Sequence, residues 1–238
     1  MNTIINIKLQ DFTQKIRGYN MLFNYRLMNL CVKAEPAALM PVTVEILGKE
    51  YNLEEVAETR RPDEYHLEIR ANNENNLDDI TDYIFDVHPE FILEMKTEKD
   101  TDDNEHRYAS YSMPDVDKDR YDLLTKLTKG FYDECTVQID AAYAKEQAKF
   151  VDLLLHAPAE DADEAKGEMK AIYDDGKDEA EQIRDAKLME IEEAYQHYLE
   201  DNPSDIYYDE DLEEDLEEDL DEDQPDYDVV KEFKLSDE

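Results

Sequence analysis

Three long stretches carry apolar residues at helical spacing, and a block of alternating residues separates the first stretch from the second. In residues 113–155, Leu124, Leu127, Phe131, Cys135, Ile139, Ala142 and Ala148 fall on or near one stripe. Residues 4–32 repeat the pattern with Ile5, Leu9, Phe12, Ile16, Tyr19, Phe23, Leu27 and Leu30. Residues 162–200 do so with Ala165, Met169, Ile172, Gly176, Ala180, Ile183, Leu188, Ile191, Tyr195 and Tyr198. Steps of three and four keep such residues on one face of a helix, the pattern of a bundle. The second stretch opens on Pro114, which suits a first helical turn, followed by Asp115, Asp117 and Asp119, which suit the positive end of the helix dipole. A helix of about forty residues is about 60 Å long and needs partners of similar length.

The block between Pro41 and Pro114 has a different period. VTVEIL (42–47) alternates like a strand and ends at Gly48. Residues 51–57 fit a second strand or a turn. EYHLEIR (64–70) alternates clearly, with Tyr65, Leu67 and Ile69 on one face. Residues 75–87 follow asparagine turn residues and read as a helix. Residues 90–97 and 107–113 read as further strands, separated by a polar loop at 99–106. The pattern therefore predicts an α+β fold: a long three-helix bundle built from 1–33 and 114–200, with a small α/β domain, 34–113, inserted between its first two helices. Two tethers, near 34–41 and 111–115, join the parts. Pro36, Pro41 and Pro114 are the expected hinge positions, and an L-shaped molecule is the expected result.

Charge changes this picture most at the C-terminus. The net charge is −40, from 25 Lys and Arg against 65 Asp and Glu. Residues 201–238 hold 19 acids and 2 lysines, so −17 of the total sits there. Such density of like charge predicts an extended, disordered acidic tail. Its last residues, with Val229, Val230, Phe233 and Leu235, fit either a short docking motif or a frayed end. The overall charge disfavours bulk nucleic acid and anionic membrane as partners, and favours basic partners or a high-salt habitat. The mildly basic first helix (Lys8, Lys15, Arg17, Arg26) and the concentration of acid in the tail argue partly against the habitat explanation.

Candidate chemistry is sparse. Cys31 and Cys135 form neither a disulfide framework nor a CxxC pair, which fits a reduced cytoplasmic setting, and each is expected in or beside the bundle core. His66, His88, His106, His156 and His197 show no i,i+4 pair and no clustering near a cysteine, so no metal site is expected. DLDEDQPD lacks the glycine and spaced glutamate of a calcium loop, which leaves only weak, nonspecific divalent cation binding for the tail. Five glycines leave little room for a phosphate-cradling loop, and none is seen. No constellation recommends a catalytic site or a cofactor. The opening residues carry no basic region before a long apolar run, so no signal peptide is expected, and no stretch is long and apolar enough for a membrane span.

The two junctions resemble those of the ribosome recycling factor family. That family enters its small domain through Arg-x-Gly-Arg-Ala-x-Pro and, after apolar residues, Val-Glu-x-x-Gly. Ala34, Pro36, Val44, Glu45 and Gly48 stand at this spacing without gaps. The family leaves the domain through an apolar residue, Pro-Pro, an apolar residue and Thr, and a helix with Leu-Thr-Lys. Met113, Pro114, Asp115, Val116 and Asp117 lead here to Leu124, Thr125 and Lys126, and Lys129 and Gly130 continue the match. The resemblance covers roughly 1–200 and excludes the tail.

The resemblance implies a non-enzymatic translation factor acting at ribosome disassembly after termination. Its partners would be the ribosome and elongation factor G, its small domain would swing on the hinge, and it would need no cofactor. The departures concern RNA. Where the family has Arg-x-Gly-Arg, this chain has Leu30, Cys31, Val32 and Lys33. Where the family has Arg-Val-Ala-Val-Arg-Asn-x-Arg-Arg on the second helix, the four arginine positions hold Thr136, Asp140, Tyr143 and Ala144. Lys33, Lys126 and Lys129 remain as the RNA-binding candidates. The alternative is an acidic paralogue, a protein-interaction module or nucleic-acid mimic that binds a basic protein.

Overall fold

The computed structural model describes residues 3–99, 103–155 and 157–205. The tail predicted at 201–238 lies outside the described residues from 206 onward. By its contacts the chain divides into one unit up to Tyr198 and a second from Leu199.

The first unit holds α1 (Thr3–Met28), β1 (Thr43–Ile46), β2 (Lys49–Asn52), α2 (Leu53–Val56), β3 (Ala57–Arg60), β4 (His66–Ala71), α3 (Leu77–Val87), β5 (Ile92–Lys99), β6 (Glu105–Ser112), α4 (Lys118–Leu154) and all but the end of α5 (Ala159–Asp201). The fold is α+β, as the periodicity predicts: long helices with a small sheet structure between the first two. β1 and β2 form a two-stranded antiparallel ribbon, and the remaining strands form an antiparallel sheet in the order β3-β4-β6-β5.

The helix ends differ from the expectation for local reasons. α1 stops at Met28 rather than near residue 32, because Cys31 takes a left-handed conformation with φ 49°. α4 starts at Lys118 rather than at Pro114, because the Asp117 carboxylate accepts from the Arg120 amide at 2.9 Å and caps the helix there. Pro114 therefore lies in an extended link and not in a first helical turn. Residues 49–60 form two strands and a helical turn where the sequence suggested one strand or a turn. β2 buries almost nothing, so alternation could not report it. What fixes it is the two-residue loop Leu47-Gly48, with φ of 54° and 77°, between the paired Ile46 and Lys49. Two successive positive φ values match the twist of a hairpin, and glycine adopts the second without strain.

Two hydrophobic cores result. One joins α1, α4 and α5: Ile5, Leu9, Phe12, Ile16, Phe23 and Leu27 meet Cys135, Ile139, Ala142 and Phe150, with Ala165, Met169 and Ala180. Full burial of each large apolar side chain contributes about 1.5–3 kcal/mol before entropy is counted. Ala148, placed on the α4 stripe by spacing, is exposed, and Phe150 is buried in its stead. The second core lies between α3 and the sheet: Leu77, Ile80 and Ile84 pack with Leu67, Ile69, Ala109 and Tyr111.

A polar knot fixes the bundle's register. The Asn20 amide of α1 donates to the Gly176 carbonyl at 3.0 Å and to Glu179 at 2.7 Å, both on α5. Cys135 of α4 donates to the Asn20 side-chain oxygen at 3.6 Å. Here α1 passes so close to α5 that a Cβ on Gly176 would stand 2.2 Å from Ile16 Cγ2.

Candidate functional site

The four α4 positions singled out by the sequence carry little positive character. The Thr136 hydroxyl donates to the Asp133 carbonyl within its own helix. Asp140 accepts from the Tyr173 hydroxyl at 2.8 Å and from Lys177 Nζ at 3.1 Å, both on α5. Burial pushes the Asp140 carboxyl up, but these two partners outweigh it and hold the group below the usual carboxylate range. Tyr143 stacks on Tyr173, with ring centroids 4.4 Å apart and planes at 24°. Ala144 is exposed beside it, and the two line an apolar groove of about 830 Å³ with Val151, Leu155 and Met169. The face thus holds an acid that staples two helices, two tyrosine rings and small apolar groups.

The cations around it are largely neutralised by carboxylates. Arg26 of α1 pairs with Glu134 of α4 and lies 3.9 Å over the Phe131 ring. Arg184 pairs with Glu181 and Asp185, Lys149 with Glu146, and Lys170 with Asp174. Of the three sequence candidates, Lys33 forms ion pairs with Glu64 at 2.9 Å and Glu193 at 4.0 Å. Its hydrogen bond to Glu64 raises its pKa despite partial burial. Lys126 and Lys129 are exposed on α4. Lys33 is thus committed to acids of the β3–β4 loop and of α5, while Lys126 and Lys129 lie three residues apart on α4.

The junction is built more tightly than the sequence suggested. Leu30 packs against the bundle core, whereas Cys31 is fully buried in the sheet core, so the chain crosses from one core to the other between adjacent residues. Cys31 was expected in or beside the bundle core. On the return path Met113 belongs to the sheet core and α4 begins at Lys118. Pro36 opens a helical turn whose Ala38 and Leu39 are buried in the sheet core, and Pro41 follows it, so both belong to the segment that leads into β1. Pro114 is the one expected hinge proline found in a crossing segment. Arg120 of α4 ties the first crossing to the bundle helix, donating to the Cys31 carbonyl at 3.2 Å and the Leu30 carbonyl at 3.5 Å.

The same corner brings the Cys31 thiol, distant in sequence, to the neighbouring His88 and Glu90. His88 Nδ1 lies 3.9 Å from Cys31 Sγ and 3.0 Å from Glu90 Oε1, while Nε2 lies 2.8 Å from the Ala38 carbonyl. The expectation that no histidine approaches a cysteine is thereby corrected: 57 residues separate this pair in sequence, and only the fold joins them. Burial works against a charged His88, but Cys31, Glu90 and the Ala38 carbonyl together raise its pKa to about 10. The other thiol differs: burial, with a lesser effect of Glu179, pushes Cys135 up to about 11.

Comparison with known proteins agrees with the architecture. The family model described as "Ribosome recycling factor" matches residues 26–191. A solution structure of a ribosome recycling factor superposes with a TM-score of 0.61 at 14% identity, covering 81% of this chain and 100% of that one. A structure presenting models of the T. thermophilus ribosome recycling factor and the E. coli elongation factor G bound to the E. coli post-termination complex matches with a TM-score of 0.50 at 20% identity. It covers 79% of this chain and 98% of that one. Among proteins of curated function, none matches this sequence.

Proposed function

The chain belongs to the ribosome recycling factor family, and from that premise we propose that it is a non-enzymatic, cytoplasmic translation factor that acts on the ribosome after termination. The observation that carries the reading is the retention of the family's long bundle and inserted sheet through both junctions, at low identity. Elongation factor G is the proposed second partner; it is present in the complex to which one similar structure belongs.

The bundle would serve as a stiff lever and the sheet domain as the part that is pushed. Helices of 37 and 43 residues, about 55 Å and 65 Å long, transmit force along their axes with little bending. The pivot would lie at Leu30–Cys31 and Met113–Asp117, where the chain passes between cores. Pro114 belongs to that pivot; Pro36 and Pro41 would move with the sheet domain. Lys126 and Lys129 remain as RNA contacts, and Lys33 would contribute only by leaving its acids.

The test is co-sedimentation with bacterial ribosomes at ~50 mM salt, where phosphate contacts are strongest. Pelleting with the ribosomes supports the reading; no pelleting at that salt rejects it.

A second reading is favoured by one observation, the Asp140 staple where the family has an arginine. In it the scaffold binds a basic protein, and its acidity raises the rate of encounter more than the final affinity. Association with a defined basic ribosomal or DNA-binding protein that is unchanged when residues 201–238 are deleted would remove the tail from this reading.

A further inference from the structure

A thiol, an imidazole and a carboxylate, the Cys31, His88 and Glu90 side chains, converge where α1 gives way to the sheet domain. We propose that these three residues form a binding site for a divalent transition metal of the zinc class. This goes beyond the ribosomal reading and does not depend on it.

The donor set is the first reason. Sulfur, nitrogen and oxygen donors together are those of zinc and its neighbours, whereas calcium and magnesium take oxygen alone. Geometry is the second. The three donor atoms lie within 4.8 Å of one another. Zinc bond lengths in a tetrahedral site set neighbouring donors about 3.4–3.6 Å apart. The observed separations of 3.9 Å for Cys31–His88 and 3.0 Å for His88–Glu90 straddle that value. Glu90 can supply the remaining adjustment, because its side chain is 34% exposed while that of His88 is 5% exposed.

The histidine is held as a ligand should be. Its Nε2 faces the Ala38 carbonyl at 2.8 Å, and a carbonyl only accepts, so Nε2 carries the hydrogen. That leaves Nδ1 turned toward Cys31 and Glu90. A backbone carbonyl on the far nitrogen is the usual outer support of a metal-binding histidine. The ring is also clamped face to face on Phe91, 4.5 Å away with planes at 5°.

Charge is the third reason. Once its proton is removed, Nδ1 and the Glu90 carboxylate, 3.0 Å apart, are two acceptors facing one another. They need a cation between them, either a proton or a metal. A dication replacing the protons of the Cys31 thiol and His88 Nδ1 leaves the net charge of the corner unchanged, with the Arg120 guanidinium beside it turned to the Leu30 and Cys31 carbonyls. Three protein donors leave the fourth position of a tetrahedral ion for water. Bound metal would tie the first crossing segment to the loop after α3.

The experiment uses the full reduced chain, stripped by chelation and titrated with Co²⁺ in excess Mg²⁺, which occupies the weak carboxylate sites of the acidic surface. The expected result is a thiolate-to-cobalt band in the near ultraviolet that saturates at one equivalent and is displaced by Zn²⁺. Carboxylates alone cannot give that band. The chain has only two cysteines. Cys135→Ser should keep the band and Cys31→Ser should abolish it. Glu90→Gln should keep it while weakening binding roughly tenfold or more. If Cys31→Ser does not fold by circular dichroism, Glu90→Gln and Cys135→Ser decide. The proposal is overturned by a folded wild-type chain with no thiolate band, which would leave a proton alone between His88 and Glu90. A band that survives in folded Cys31→Ser, vanishes in Cys135→Ser, or is unaffected by Glu90→Gln overturns it as well.

Discussion

Asp140 on α4 accepts a hydrogen bond from the Tyr173 hydroxyl on α5 at 2.8 Å, and Lys177 of α5 reaches the same carboxylate at 3.1 Å. A position that carries an arginine in the family pattern is here an internal staple between two helices. The exchange replaces a cation that could meet phosphate with a contact inside the protein.

Asp140→Asn should lower stability slightly. The side chain is half exposed, so the loss should be no more than about 1 kcal/mol. Its pH dependence has a definite sign. The folded-state pKa lies below the ordinary carboxylate value, so the stabilisation is complete above that value and is lost as pH falls through the lower, folded one. Urea midpoints of wild type and Asp140→Asn should differ at pH 7 and draw together as the pH falls below the ordinary carboxylate value. A difference that widens in acid would contradict the assignment.

Gly176→Ala should destabilise the bundle even though alanine is the better helix former. The added methyl would stand 2.2 Å from a branch carbon of Ile16, which is fixed to its own helix and cannot swing away. Overpacking of this kind costs about 1–3 kcal/mol, against about 1 kcal/mol gained in propensity. Pairing it with Ile16→Ala should recover part of the loss relative to Ile16→Ala alone. Chemical denaturation of the four proteins measures this as a double-mutant cycle.

How much of the structure was legible beforehand depends on the range of the interactions. The α1 stripe from Ile5 to Leu27 was readable because each apolar residue is placed by neighbours three or four positions away. The hairpin at Leu47-Gly48 was half readable: the glycine marks the turn, but β2 exposes nearly all its residues and has no alternation to detect. The Cys31–His88–Glu90 corner and the Asp140 staple were not legible. Their partners lie 57 and 33 residues away, and no periodicity encodes such distances. Cys31 has a left-handed backbone, a non-glycine conformation that marks special positions, but only the structure shows it.

Arg120→Gln should loosen the first crossing without melting the bundle. It removes a cation that holds the Leu30 and Cys31 carbonyls from α4. Amide hydrogen exchange should accelerate over residues 29–34, while α1 amides around Phe12 and Ile16 keep their protection. Uniform acceleration in both regions would mean that Arg120 supports global stability instead.

Cys135 should resist alkylation until the bundle opens. Burial pushes its thiol up to about 11, so little thiolate exists near neutral pH, and its hydrogen bond to Asn20 lies inside the knot. Modification at pH 8, followed peptide by peptide, should track unfolding by denaturant. Rapid labelling of Cys135 in the native state would show that the knot is not closed in solution.

The salt dependence of ribosome co-sedimentation tests most directly whether the family's scaffold works here with few cationic contacts through α4. Binding at ~50 mM salt should weaken only modestly by ~200 mM, because few counterions are released. Absence of binding at ~50 mM, or a steep fall of the kind produced by many phosphate contacts, would contradict that claim.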